Sequence, residues 1–193
     1  MDNGMLLVSP APHVRSRSNT QSIMLDVIIA MIPALIASTL IFGWRALLIV
    51  AVCVASCVLF EFLFQKLCKR EVTVGDLSAV VTGMLLAFNL PVRIPIWQAV
   101  FGCLVAIVAV KQLFGGIGKN FANPAITARV VMTISFAGTM TNFATSADAV
   151  SSATPLALMG TEKMPSLLTL FLGNYGGSLG ETCSLALIIG FVY

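Results

Sequence analysis

A chain of 193 residues with a net charge of +3, 58% hydrophobic residues and only 10% charged ones lacks the charged surface of a soluble domain, in which about a quarter of residues are charged. The mean hydropathy of +0.98 and the absence of any basic block interleaved with aromatics leave nucleic-acid binding without support. These values describe one integral membrane domain built from apolar runs of about 20 residues.

Residues 1–22 are polar and proline-containing, with Asp2, His13, Arg15 and Arg17 and no apolar core. They read as a cytoplasmic surface segment without a cleavable signal peptide, the first hydrophobic helix serving as the insertion signal. Five spans are expected over residues 23–138. The first runs from Ile23 to Phe42, with Asp26 near its start and Pro33 inside it, and the second from Ala46 to Phe64. The third, Leu77 to Leu90, stops at Asn89 and Pro91, too short for a full crossing and suited to a tilted or broken helix. The fourth runs from Ile96 to Phe114, and the fifth starts at Pro124, a favourable first-turn residue, and reaches about Ala137. A loop of 139–181 follows, and a sixth helix begins near Thr182 and stops at Tyr193 without a polar tail. That ending predicts the front part of a longer polypeptide.

Lys and Arg placement gives the orientation, because cytoplasmic loops retain positive charge. With the N-terminus inside, the cytoplasmic face collects Arg15, Arg17, Lys66, Lys69, Arg70 and Lys119, with Lys111 and Arg129 near it; Arg45, Arg93 and Lys163 stay outside. Asp26 and Glu61 are carboxylates within apolar runs, suited either to an ion path or to solvation at an interface. Arg129 would hold an anionic group, set helix packing, or snorkel to the cytoplasmic face. The five cysteines contain no C-x-x-C pair and read as small buried hydrophobes rather than a metal site.

Two breaks, "FGGIGKNFANPA" at 114–125 and "GNYGGSLGET" at 173–182, place glycines directly before a hydrophobic helix. Glycine lets backbone approach a ligand, and free N–H groups at a helix start attract polar ligand atoms; the same glycines also serve as turns or close helix contacts. Their position on opposite sides of the membrane hints at two pseudo-symmetric halves with broken helices.

The loop sequence "DAVSSAT" raises a separate question. A threonine hydroxyl is a poor nucleophile without a neighbouring base, and a polar turn closed by Pro155 accounts for the residues as physics alone. The pattern Asp148, Ser151, Ala153, Thr154 nevertheless resembles the motif recognised by the extracytoplasmic flavin transferase, which joins FMN to the threonine hydroxyl through a phosphoester. Together with "SPAPHVRSRSNTQSIMLDVIIAMIPA", "GGIGKNFANPAITAR", "DAVSSATPLA" and "GGSLGET", in this order, the chain resembles the D subunits of Rnf ion-translocating ferredoxin:NAD+ oxidoreductases and the related B subunits of sodium-pumping NADH:quinone reductases.

The resemblance implies an all-α polytopic membrane fold, here the first half of an inverted-repeat bundle with broken helices, cut within the sixth helix. It implies covalent FMN on Thr154, with Asp148, Ser151 and Ala153 as transferase determinants. Gly115, Gly116, Gly118, Asn120 and Asn123, then Arg129, then Gly176, Gly177, Gly180, Glu181 and Thr182, would line flavin or ion surfaces; some members also hold riboflavin non-covalently. The implied setting is a multi-pass protein of the bacterial cytoplasmic membrane with the flavin loop outside. Its implied partners are other membrane and flavoprotein subunits, the transferase, and Na+ or H+. A channel or carrier with glycine-rich broken helices, or a non-redox scaffold, are the alternatives that the residues alone leave open.

Overall fold

The computed structural model describes residues 19–143, 166–173 and 175–193. Among the described residues the chain is helical, with one isolated antiparallel bridge between Pro91 and Ser178 and no strand. Helices α1 (Thr20–Phe42) and α2 (Trp44–Leu67) have 23 and 24 residues, about 35 Å each at 1.5 Å per residue, enough to cross a hydrocarbon core of about 30 Å. Only 17% and 28% of their most apolar windows are buried within the bundle. They are therefore not core helices of a water-soluble fold; Ile36, Leu40, Leu47 and Leu59 point outward, as lipid-facing side chains do. The two helices are joined by Gly43 alone, at φ 77°, a conformation that favours glycine and lets the chain reverse in a single residue.

Helix α3 (Ser78–Phe88) has 11 residues, about 16 Å of helix, and continues as a non-helical linker over residues 89–95. Helix α4 (Ile96–Leu104) winds at its C-terminal end into a π-helical segment, Val105–Gln112. Helix α5 (Pro124–Ser135) starts where Asn123 Oδ1 accepts from Ala125 and Ile126 N–H at 3.0 and 3.3 Å. Helix α6 (Ala137–Met140) follows directly. Within the stretch read from the sequence as loop lies a further short helix, α7 (Leu167–Leu172), capped by Ser166 Oγ accepting from Thr169 N–H; its leucine run and serine cap explain it. The last helix, α8 (Ser184–Val192), packs along α1.

Helix α3 is thus short and continued by non-helical chain, and buried backbone carbonyls at such a break need partners. Gly180 N–H donates to Phe88 O at 2.9 Å and Leu179 N–H to Leu90 O at 3.1 Å. Arg129 donates to Asn89 O. Arg45, from the start of α2, donates to Val92 O at 3.0 Å and reaches Ile94 O at 3.5 Å. The loop at 178–180 and two arginines together cover the unwound segment.

Packing between α2 and α3, the most extensive in the bundle, depends on Gly83: a Cβ there would lie 2.8 Å from Val54 Cα and 3.0 Å from Cys53 O. Without a hydrophobic force between helices in lipid, such close approach is what holds them. Gly83→Val is expected to lower stability by about 1–3 kcal/mol, while Gly138→Ala, where a Cβ meets nothing within 4 Å, stays within about 0.5 kcal/mol of the parent. Unfolding of the purified protein in mixed micelles checks both.

Candidate functional site

The residues singled out in the sequence fall into separate groups. Asp148, Ser151, Ala153 and Thr154 lie outside the described residues. Gly115, Gly116, Gly118, Asn120 and Asn123 gather around the C-terminal end of α4, whereas Gly176, Gly177, Gly180, Glu181 and Thr182 belong to the loop seated on the end of α3. Arg129 joins that second group: it donates to Asn89 O and stands 3.5 Å from Ser178 Oγ. It is held at the break of α3, which overrides the snorkelling expectation. Glu181 Oε1 accepts from Ser178 N–H at 3.2 Å and so braces the residue whose hydroxyl Arg129 approaches. Gly180 has no room for a side chain because a Cβ would overlap Phe88, and Thr182 is 1% exposed with its hydroxyl unpartnered.

The group at the end of α4 is organised around charges. Glu61 is 1% exposed and Lys111 2% exposed, so Glu61 is not solvated at an interface and Lys111 is buried beside it. Lys111 Nζ lies 2.8 Å from Glu61 Oε2 and 3.0 Å from Oε1, and donates also to Ser78 Oγ. Gln112 Nε2 donates to Glu61 Oε1 at 2.8 Å. Ser78 in turn donates its hydroxyl to Asp76 Oδ1 at 2.6 Å. Gln65 Nε2 donates to Thr73 Oγ1 at 2.8 Å, and its Oε1 accepts from Thr73 N–H at 3.0 Å. The result is a continuous polar chain from Asp76 to Glu61 that ties α2, α3 and α4. Asp26, by contrast, is exposed and lines an outward groove of α1.

Two cavities flank this chain. One, of about 320 Å³, is lined by Gln65, Arg70, Asp76, Gln112, Gly115 and Gly116 among others. The second, of about 230 Å³, is lined by Ser78, Thr82, Lys111, Gly118, Asn120 and Asn123 among others, and Asn120 Oδ1 is buried there without a partner. The side-chain oxygen of Asn123 is spent on capping α5, which leaves its amide nitrogen for a ligand. Gly115 and Gly116 close the end of α4, their N–H groups donating to Gln112 O and Lys111 O, so these two amides are not free for an anion. Among the described residues no group of three His, Cys, Asp or Glu could hold a metal ion; Cys53, Cys57 and Cys103 are buried between helices, whereas Cys68 is exposed and Cys183 half-buried, so the reading of five buried cysteines holds for three of them.

Ser78, Gln65, Gln112 and the role of Lys111 were not singled out from the sequence. The signal was there in part: Lys111 and Gln112 close an apolar run on a helix, opposite a carboxylate in another, and intramembrane charges of opposite sign seek each other. Removing one member of such a pair strands the other. Lys111→Met alone is expected to cost about 3–5 kcal/mol, and Lys111→Met with Glu61→Gln to recover most of that loss, a coupling that a double-mutant cycle of unfolding free energies measures.

Residues 7–193 match the family described as NQR2, RnfD, RnfE. The chain is 51% identical over 195 residues to the D subunit of the Na+-translocating ferredoxin:NAD+ oxidoreductase complex of Acetobacterium woodii, covering 97% of this chain and 61% of that protein. It is 33% identical over 201 residues to the D subunit of the proton-translocating ferredoxin:NAD+ oxidoreductase complex of Clostridium ljungdahlii, covering 96% and 61%. To the D subunit of the ion-translocating oxidoreductase complex of Yersinia enterocolitica it is 40% identical over 170 residues, covering 86% and 46%. The chain therefore spans at most 61% of the length of these curated relatives. Matched almost from end to end by the family pattern, the chain belongs to the NQR2, RnfD, RnfE family.

Proposed function

We propose that this chain is part of the membrane flavoprotein subunit of an ion-translocating ferredoxin:NAD+ oxidoreductase, an electron carrier whose redox change is coupled to movement of Na+ or H+. The observation that carries this reading is the 51% identity, over 97% of the chain, to a protein named for that activity. The attachment point is Thr154, with Asp148, Ser151 and Ala153 read by a flavin transferase. FMN joined there supplies one- and two-electron chemistry; the protein supplies position and surroundings.

The described residues suit that division. Before the segment carrying Thr154, Thr139 Oγ1 of α6 donates to Gln98 Oε1 of α4 at 2.7 Å; after it come α7, which packs on α8, and then the loop clasped by Arg129. A second, non-covalent flavin such as riboflavin is compatible with the cavity holding Asn120 and Asn123: the unpartnered Asn120 oxygen is an acceptor and the Asn123 amide a donor, the complementary groups that the edge of a flavin ring requires. Ion movement would involve the Asp76–Ser78–Lys111–Glu61 chain, the charged interior of the described bundle.

A bacterial cytoplasmic membrane with the N-terminus inside is the matching setting. Trp44 and Trp97, at the starts of α2 and α4, are 74% and 60% exposed, as expected of an interfacial aromatic belt, and Lys66, Lys69 and Arg70 cluster at the other end of α2. The partners are the remaining membrane and flavoprotein subunits.

After co-expression with the transferase, the denatured protein should retain flavin fluorescence, and the peptide holding Thr154 should carry the mass of FMN. Thr154→Val should insert normally and lose both signals. Bare Thr154 in the parent, or covalent FMN persisting in the variant, would overturn the assignment.

A further inference from the structure

The two cavities beside the polar chain are separated by the end of α4 and by the Lys111–Glu61 pair. Gln112, Gly115 and Gly116 face one cavity; Lys111, Gly118 and Asn120 face the other, and Ile117 borders both. This partition is built from an unusual helix. Over Val105–Gln112 the chain is π-helical for 8 residues, and the pattern extends past it: Leu113 N–H donates to Val108 O at 3.1 Å and Gly116 N–H to Lys111 O at 3.0 Å, both spanning five residues. Such turns are less favourable than α-helical ones and occur mostly as single-turn bulges, often at functional sites. Here the wide turn has a visible effect. It brings the adjacent Lys111 and Gln112 side chains to the same carboxylate, both hydrogen-bonded to Glu61 Oε1.

We propose that the C-terminal end of α4 is a gate between the two cavities, closed in the π register by Lys111 and Gln112 on Glu61 and opened by rewinding toward the α register. Rewinding turns each residue further about the axis and lengthens the segment, which carries Lys111 off Glu61. The added length runs into Gly115, Gly116 and Gly118, whose φ values of 108°, 91° and 77° are open to glycine and strained for other residues. A Cβ at Gly116 or Gly118 meets nothing within 4 Å, so the loop has room to take up the change. Ser78 and Asp76 lie on the stationary side, on and before α3, and give the released ammonium a hydrogen-bonded route toward the first cavity.

The test uses the full complex in membrane vesicles with Cys68→Ser and Cys183→Ser, and Thr82→Cys as reporter, since Thr82 is 8% exposed and lines the second cavity. The probe is a positively charged, membrane-impermeant methanethiosulfonate, and its reaction at position 82 and at Cys103, which is fully buried in the core, is followed by peptide mass. Two changes should open the gate by different routes. Glu61→Gln with Lys111→Met removes the lock without stranding a charge, and Gly116→Ala strains only the positive-φ backbone of the closed form, leaving the pair intact. Each should speed reaction at position 82 by about fivefold or more, a population shift of the size a small conformational bias produces, with Cys103 still unreacted. Reaction at the parental rate in either variant overturns the gate. So does equal acceleration at Cys103, which would report general loosening of the bundle.

Discussion

The ion pair between Glu61 and Lys111 is the constraint on which one half of the bundle depends. Neither charge tolerates isolation in a low-dielectric interior, where the cost of an unpaired ion reaches several kcal/mol. The pair survives burial because every contact is duplicated: Glu61 accepts from Lys111 and Gln112, and Lys111 donates to both carboxylate oxygens and to Ser78. These donors and acceptors come from α2, α3 and α4, so the pairing fixes which faces of the three helices meet. It also explains why α3 begins where it does. Asp76 Oδ1 accepts from Ser78 N–H at 2.9 Å and from the Ser78 hydroxyl, and this starts the helix and orients its first side chain toward Lys111 in one step.

A complementary constraint governs the other half. Once α3 stops at Phe88, its last carbonyls point into a region without bulk water, and the chain must bring donors to them. It does so with guanidinium groups from α2 and α5 and with backbone N–H groups from the loop before α8. Arginine suits this place because it offers several donors in a fixed fork. The C-terminal end of α3 carries partial negative charge, which gives Arg129 an electrostatic partner where no carboxylate of the described residues pairs with it. Glycine suits the loop for a different reason: at Gly180 the backbone lies against Phe88 with no space for a Cβ.

Legibility in the sequence follows from how local each determinant is. The spans of α1 and α2 are readable from apolar length alone, and the short third run bounded by Asn89 and Pro91 announces a broken helix. Asn123-Pro124 marks the start of α5. The readable features stop where function depends on register. Glu61 and Lys111 are 50 positions apart, and no periodicity says that they meet, since that depends on the π turn in α4. Arg129 resembles a snorkelling residue in the sequence because its distance from a helix start is legible there while its distance to Asn89 is not. The glycines suggest ligand cradles; Gly115 and Gly116 instead close a helix and border a cavity, a difference that only the positions of their amide partners decide.

The two constraints pull the molecule toward a division of tasks between its ends. The charged chain beneath α4 is satisfied by side chains, which can exchange partners without unfolding a helix: lysine has a flexible stem, and serine and glutamine can act as donor or acceptor. The break in α3 is satisfied mainly by backbone groups and by two arginine forks, and the loop that supplies the backbone donors has no steric slack at Gly180. An arrangement with adaptable partners at one end and fixed ones at the other suits a protein in which one region changes state while another holds its geometry. The placement of strain agrees with this. The positive-φ glycines at 115, 116 and 118 and the π-helical turns lie together at the adaptable end, next to the buried pair of Glu61 and Lys111. Backbone that is costly to hold in one conformation is concentrated where the contacts can be remade, and the rigid clasp at the far end keeps α3, α4 and α5 in register while that happens.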